Sequence, residues 1–169
     1  MGKKIRIKRN NDEFDFWLNG MTDENMKNYI KYRIVKQIDW FEVKGRFCKN
    51  KYQRFMLASI IISSIIPILS IFADGSVLMK TVIAILGSLV SVIGSYITLQ
   101  NYKELWIKYV SEKSILQNML YMYFNCRGEF DIADEKERNG KLIDTCENYF
   151  LQNVNALNKS EMSDGGITN

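Results

Sequence analysis

The sequence predicts an all-α membrane protein: a two-helix transmembrane hairpin extended into cytosolic antiparallel helices, followed by a C-terminal amphipathic helix. Charged residues make up 25% of the chain, yet they are absent from two apolar runs at residues 55–73 and 81–102. A soluble core would instead spread its apolar residues at helical or strand periods. The single proline, Pro67, leaves nearly the whole chain free to form long helices.

The N-terminal residues 1–21 form the first segment. Isoleucines alternate with bases from Lys3 to Lys8, as they would in a strand. We favour a basic, disordered arm, because the apolar content is low. Residues 1–28 contain no apolar run of the kind found in signal peptides, so we expect none.

Residues 22–54 are predicted to form a cytosolic amphipathic helix. Thr22 or Asp23 can cap its first N–H groups. An apolar stripe follows at helical spacing. It consists of Tyr29, Ile30, Ile34, Ile38 and Phe41. Residues 27–54 carry nine bases and two acids. Nucleic-acid binding is one interpretation of these bases, but their position directly before an apolar run favours an anionic membrane surface on the cytoplasmic side.

Residues 55–102 are predicted to form the transmembrane hairpin. The run 55–73 would extend roughly 28 Å as a helix and the run 81–102 roughly 33 Å, against a hydrocarbon core of about 30 Å. Asp74, Gly75 and Ser76 are turn residues that would send the second span back antiparallel, and Pro67 should kink the first span. Both flanks are more basic than the turn, so both termini should be cytoplasmic. A soluble protein with two buried core helices is the alternative.

The remaining residues continue the helical pattern. Residues 103–127 are predicted to form a cytosolic helix, and residues 128–159 a charged linker followed by an amphipathic helix. Residues 160–169 read as a disordered tail. Glu129 and the acids of the linker, residues 131–140, form an acidic cluster. These acids do not have the spacing of a calcium-binding loop. We expect them to be solvated.

The composition argues against an enzyme. The chain has no histidine, which excludes histidine triads, histidine bases and histidine metal ligands. Its three cysteines, Cys48, Cys126 and Cys146, lack the spacing of metal or redox motifs. We therefore expect no catalytic residue, no metal site and no cofactor.

The second span carries a face of small, weakly polar residues at three- and four-residue steps. The candidate site residues on this face are Gly87, Ser88, Ser91, Gly94, Ser95 and Thr98. Small faces allow helix backbones to approach closely. Alternatively, the hydroxyls line an aqueous path between copies of the protein. Two helices cannot enclose a pore, so a conducting form requires a homo-oligomer.

Four features of the chain indicate a family resemblance. They are the segment Gln37-Ile38-Asp39-Trp40-Phe41 with Lys44, the basic stretch, the hairpin and the pattern Tyr102-x-x-x-Trp106-x-x-Tyr109. In these features the chain resembles the SLATT families. These are SMODS and SLOG-associating two-transmembrane effectors, and the similarity runs over residues 25–157. The resemblance implies a bacterial anti-phage effector that forms pores in the inner membrane.

The same resemblance implies that a sensor protein or a nucleotide signal activates the effector, and we expect no direct nucleic-acid partner. It assigns assembly or gating to four aromatic residues, Trp40, Tyr102, Trp106 and Tyr109. The alternative function is a non-conducting, membrane-anchored scaffold that recruits a partner through its cytosolic helices.

Overall fold

The computed structural model describes residues 11–72 and 77–164, with side chains for residues 14–72 and 77–153. Every regular element in these ranges is helical. The elements are α1 (Asn11–Asn19), α2 (Glu24–Tyr29), a π-helical turn (Ile30–Val35), α3 (Lys36–Ile71), α4 (Val77–Gln100), α5 (Tyr102–Phe124), a 3-10 turn (Gly128–Phe130) and α6 (Glu135–Asp164). The predicted all-helical architecture is confirmed.

The chain divides into two compact units. Unit 1 comprises Met1–Asp39 and Lys113–Asn169, and unit 2 comprises Trp40–Glu112. The helices α3 and α5 therefore each contribute to both units.

Unit 2 contains two helices that are long and apolar enough to cross a membrane, as predicted. In the most apolar stretch of each helix, no residue is buried by the rest of the chain. The partly covered residues of α4 recur at alternating steps of three and four. They are Met79, Ile83, Leu86, Val90, Ile93 and Ile97. This seven-residue repeat is typical of two helices that pack side by side with a left-handed crossing.

The same repeat runs along α3. Its covered residues include Phe41, Gly45, Cys48, Tyr52, Phe55, Ser59, Ile62, Ile66 and Leu69. The rings of Phe55 and Tyr96 lie 5.1 Å apart, which places α4 against α3. At Asn101 the backbone takes a φ of 47°, and this left-handed residue separates α4 from α5.

Unit 1 encloses an apolar core contributed by all its helices. The core residues are Phe14, Leu18, Met26, Ile30, Ile34, Val35, Ile38, Leu116, Leu120, Tyr123, Phe130, Leu142 and Cys146. Asp23 caps α2 as predicted, because its Oδ1 accepts from the N–H groups of Asn25 at 3.0 Å and Met26 at 3.2 Å.

The structure corrects the prediction of a disordered arm over residues 1–21. Residues 11–19 form α1, in which Phe14 and Leu18 are buried. The ring of Phe14 lies 5.4 Å from that of Tyr121 and 6.3 Å from that of Phe124. These long-range contacts stabilise a helix that is too short to form alone. Residues 1–10 lie outside the described residues.

Two other boundaries differ from the prediction. Helix α6 already begins at Glu135, so the last six residues of the predicted linker, 135–140, are helical. It also extends to Asp164, into the predicted disordered tail. The rest of that tail, and the predicted turn at Asp74, Gly75 and Ser76, lie outside the described residues.

Candidate membrane face and aromatic clusters

The hydroxyl groups on the small face of α4 all donate to carbonyl oxygens of their own helix. Ser88 donates to Ile85 at 2.8 Å and Ser91 to Gly87 at 3.2 Å. The other two bonds join Ser95 to Ser91 at 2.9 Å and Thr98 to Gly94 at 3.0 Å. These bonds pair every hydroxyl donor on this face, as a span through a low-dielectric bilayer would require. The hydroxyl oxygens keep acceptor capacity on the helix surface.

The small face points away from the partner helix in the same chain. Ser88, Ser91, Ser95 and Thr98 are exposed. A Cβ atom added at Gly87 or Gly94 would meet no atom within 4 Å. The contact with α3 uses the larger apolar residues of the seven-residue repeat instead. Close packing through the small face would therefore require a second molecule.

Two of the four predicted assembly or gating residues, Trp40 and Tyr109, form one cluster. Their rings lie 5.6 Å apart at an interplanar angle of 87°, and Phe41 lies 6.2 Å from Tyr109. At Gly45 the helices α3 and α5 approach closely, since an added Cβ would lie 3.4 Å from the Tyr109 Cβ. Burial in this cluster raises the pKa of Tyr109.

The other two, Tyr102 and Trp106, lie nearer to the apolar spans. The Tyr102 ring lies 6.3 Å from Tyr96, and the two hydroxyl oxygens are 3.4 Å apart. Phe55 completes this group through its contact with Tyr96. The Nζ of Lys49 lies over the Trp106 ring, 5.2 Å from its centroid. Trp40 and Tyr109 thus share one aromatic group with Phe41, and Tyr102 belongs to a second group with Tyr96 and Phe55. Trp106 contacts Lys49 instead.

Sequence reasoning placed Phe41 in the apolar stripe but not beside Tyr109, and it missed Gly45, Lys49 and Phe55 as partners of the predicted aromatic residues. A usable signal was present, because Phe41, Cys48 and Phe55 are spaced seven residues apart. That spacing indicates one continuous seam through the boundary between the predicted cytosolic helix and the predicted span.

A groove of about 640 Å³ opens in unit 1. It is lined by residues including Phe16, Trp17, Phe124, Glu135 and Arg138. The Trp17 and Phe124 rings stack at 5.4 Å, while the Phe16 side chain is 80% exposed. One guanidinium nitrogen of Arg138 donates to the Ile132 carbonyl at 3.2 Å. This aromatic groove is a concave surface formed entirely by residues of unit 1.

A family described as "Protein of unknown function (DUF4231)" matches residues 36–138. The chain belongs to this family. The DUF4231 segment begins with α3, includes α4 and α5, and ends within the first turns of α6. It therefore contains the small face and both aromatic groups, whereas α1, α2 and the π-helical turn precede it. No curated protein and no solved structure matches the chain significantly.

Proposed function

We propose that this protein is a pore-forming membrane effector of a bacterial anti-phage or conflict system, which permeabilises the inner membrane as a homo-oligomer when activated. One observation carries the proposal. A helix of membrane-spanning length presents a polar, small-residue face that the described residues of its own chain leave largely uncovered. The SLATT resemblance supplies the biological role, including activation by a sensor protein or a nucleotide signal.

Exposure of the two apolar helices supports insertion into a bilayer. Large apolar side chains such as Leu57, Ile68 and Leu99 are 58–79% exposed. The exposure of apolar surface to water costs a free energy of roughly 25 cal/mol per Å². In a bilayer the same surface is solvated by acyl chains. The bases that precede the first span favour a cytoplasmic location for both termini.

The arrangement of hydroxyls supports a pore between copies. From Ser88 to Thr98 the small face extends about 15 Å at 1.5 Å per residue. Closed rotational symmetry would convert each hydroxyl into a ring around the axis. The larger apolar residues on the α3 side would hold the hairpin together, while the small face would turn toward the axis.

The test is reconstitution of the full chain in liposomes, with dye release and single-channel current as readouts. We expect Ser91→Leu and Ser95→Leu each to abolish conductance while insertion and oligomer size stay unchanged. The matched control is Val92→Leu, a neighbouring exposed position outside the small face, which should conduct. A correctly inserted oligomer that passes no current would contradict the proposal. Loss of the oligomer in Ser95→Leu would assign the face to helix packing.

The second candidate is a non-conducting, membrane-anchored scaffold. The aromatic groove of unit 1, with its exposed Phe16, favours it because such surfaces often receive a partner. Replacing both spans with unrelated apolar helices separates the two functions. A scaffold would retain its cellular effect, and a pore would lose it.

A further inference from the structure

We propose that α3 binds anionic phospholipid headgroups at the end of the first span, through Lys49, Lys51 and Arg54. This inference rests on the proposed membrane insertion. It names a lipid partner for a surface that the pore proposal does not use.

The first support is unneutralised charge. Residues 44–54 contain five bases and no acid. Arg46 forms an ion pair with Glu42 one turn earlier. Within the described residues, the ion pairs of the structure leave Lys44, Lys49, Lys51 and Arg54 without a carboxylate partner. An anionic ligand would satisfy this cluster.

The second support is the way the lysines are held. The Nζ of Lys49 lies 5.2 Å from the Trp106 ring, and the Nζ of Lys51 lies 5.7 Å from the Phe47 ring. A cation–π contact positions the ammonium group without neutralising it. Each lysine therefore keeps its full charge and its N–H donors for an outside acceptor such as a phosphate oxygen.

The third support is the level along the helices. Lys49 precedes Phe55 by six residues in α3, and Trp106 follows Tyr102 by four residues in α5. The Lys49–Trp106 contact therefore lies within two helical turns of the group formed by Phe55, Tyr96 and Tyr102, which is nearer to the apolar spans. Tyrosine and tryptophan concentrate at the level of lipid headgroups. The phosphates of a bilayer would thus lie at the same level as Lys49.

The apolar neighbours of these bases favour a lipid over a nucleic acid or an acidic protein. On the exposed side of α3, Trp40, Val43 and Phe47 are 40–53% exposed and alternate with Lys44 and Lys51 along the helix. A lipid surface can bind both the bases and the apolar side chains. Its headgroups pair with the ammonium groups, and its upper acyl region contacts the rings. The stripe ends at Phe47, about two helical turns before the apolar first span begins at residue 55.

Tryptophan quenching by brominated lipids tests the proposal. The parent is the full chain with Trp17→Phe and Trp40→Phe, so that Trp106 is the only tryptophan and can be excited selectively. It is reconstituted in two preparations of phosphatidylcholine vesicles. One contains a fraction of acyl-brominated phosphatidylglycerol, and the other contains the same fraction of acyl-brominated phosphatidylcholine. We expect about twofold stronger quenching by the anionic lipid, because the bases enrich it locally.

The charge variant is Lys49→Gln with Lys51→Gln and Arg54→Gln, which should reduce the ratio of the two quenching values to about one. The matched control also removes three bases, through Lys31→Gln, Lys136→Gln and Lys141→Gln, all exposed in unit 1. It should keep the preference of the parent.

Flotation after alkaline carbonate extraction distinguishes the possible failures. If the parent stays in the vesicles but both lipids quench equally, the headgroup site is wrong and the proposed insertion stands. If carbonate extracts the protein, the membrane function itself is wrong. Loss of the preference when a single-stranded oligonucleotide is added would assign the bases to nucleic acid and overturn the lipid assignment.

Discussion

At the scale of single residues, one polar contact in unit 1 is centred on Glu147 and joins α6 to the π-helical turn. Its carboxylate accepts from the Arg33 Nε and Nη2 atoms, both at 2.9 Å, and from the Tyr29 hydroxyl at 3.0 Å. The Arg33 guanidinium lies 4.5 Å from the Phe150 ring. Hydrogen bonds from Arg33 lower the pKa of Glu147. Burial, and then the bond to Glu147, raises the pKa of Tyr29.

We expect Glu147→Gln to destabilise unit 1 by about 1 kcal/mol at neutral pH, the upper range for a half-exposed ion pair. The folded pKa of Glu147 is lowered, so its contribution is present above the ordinary pKa of about 4.3 and is lost as the pH falls through the folded pKa. Thermal unfolding in detergent, followed by circular dichroism from pH 7 to pH 3, measures the difference from wild type. That difference should shrink with acid.

The control for this prediction is Glu24→Gln, which removes the exposed pair with Lys27 on the same helix. It should change stability by only a few tenths of a kcal/mol. A Glu147→Gln protein whose destabilisation is independent of pH would contradict the assigned role of the carboxylate.

At the scale of elements, the π-helical turn Ile30–Val35 interrupts an otherwise continuous helix from α2 to α3. A π turn accommodates more residues than an α turn, because its hydrogen bonds span five residues. It allows the adjacent residues Ile34 and Val35 both to be buried, together with Ile30 and Ile38. A regular α-helix would separate adjacent side chains by about 100°.

We therefore expect deletion of Tyr32, which is 64% exposed, to be tolerated. The deletion converts the π turn toward a regular α-helix and keeps the register of the flanking buried residues. The melting temperature in detergent should be equal to or higher than that of wild type.

The matched control is deletion of Val43, which is 40% exposed and lies in the regular part of α3. It rotates the following residues by about 100° and breaks the seven-residue repeat of unit 2. The melting temperature should fall by several degrees. Equal losses for the two deletions would show that the π turn has no spare residue.

At the scale of the whole molecule, the cysteines allow a test of topology. Cys126 is exposed, whereas Cys48 and Cys146 are buried. Burial raises the pKa of both buried thiols, to about 12 for Cys146, which makes them poor nucleophiles. Only Cys126 should therefore react rapidly in the folded protein.

We expect a membrane-impermeant maleimide to label Cys126 in inverted membrane vesicles but not in intact spheroplasts, because both termini are proposed to be cytoplasmic. The complementary variant combines Cys126→Ser with Val77→Cys. Val77 begins α4 and is 79% exposed, so it should be labelled only from the outside. Labelling of Cys126 from the outside would reverse the proposed orientation.

The sequence by itself determined the helical architecture, the two apolar spans and a helix cap at Thr22 or Asp23, of which the structure uses Asp23. These features depend on composition, on the period of apolar residues and on hydrogen bonds within a few residues, all of which are readable along the chain. The same reasoning identified the small face of α4, because its steps of three and four follow from helix geometry alone.

The tertiary structure decided which surfaces are covered. Helix α1 is stabilised by the contact of its Phe14 with Tyr121 of α5. Glu147 binds Arg33, which lies 114 residues away in sequence. It also decided that α4 turns its larger apolar residues toward α3 and leaves the small face uncovered. Contacts between distant segments depend on how helices pack against each other. Local propensity carries no information about them, and the sequence alone could not show that Trp40 contacts Tyr109 while Trp106 contacts Lys49.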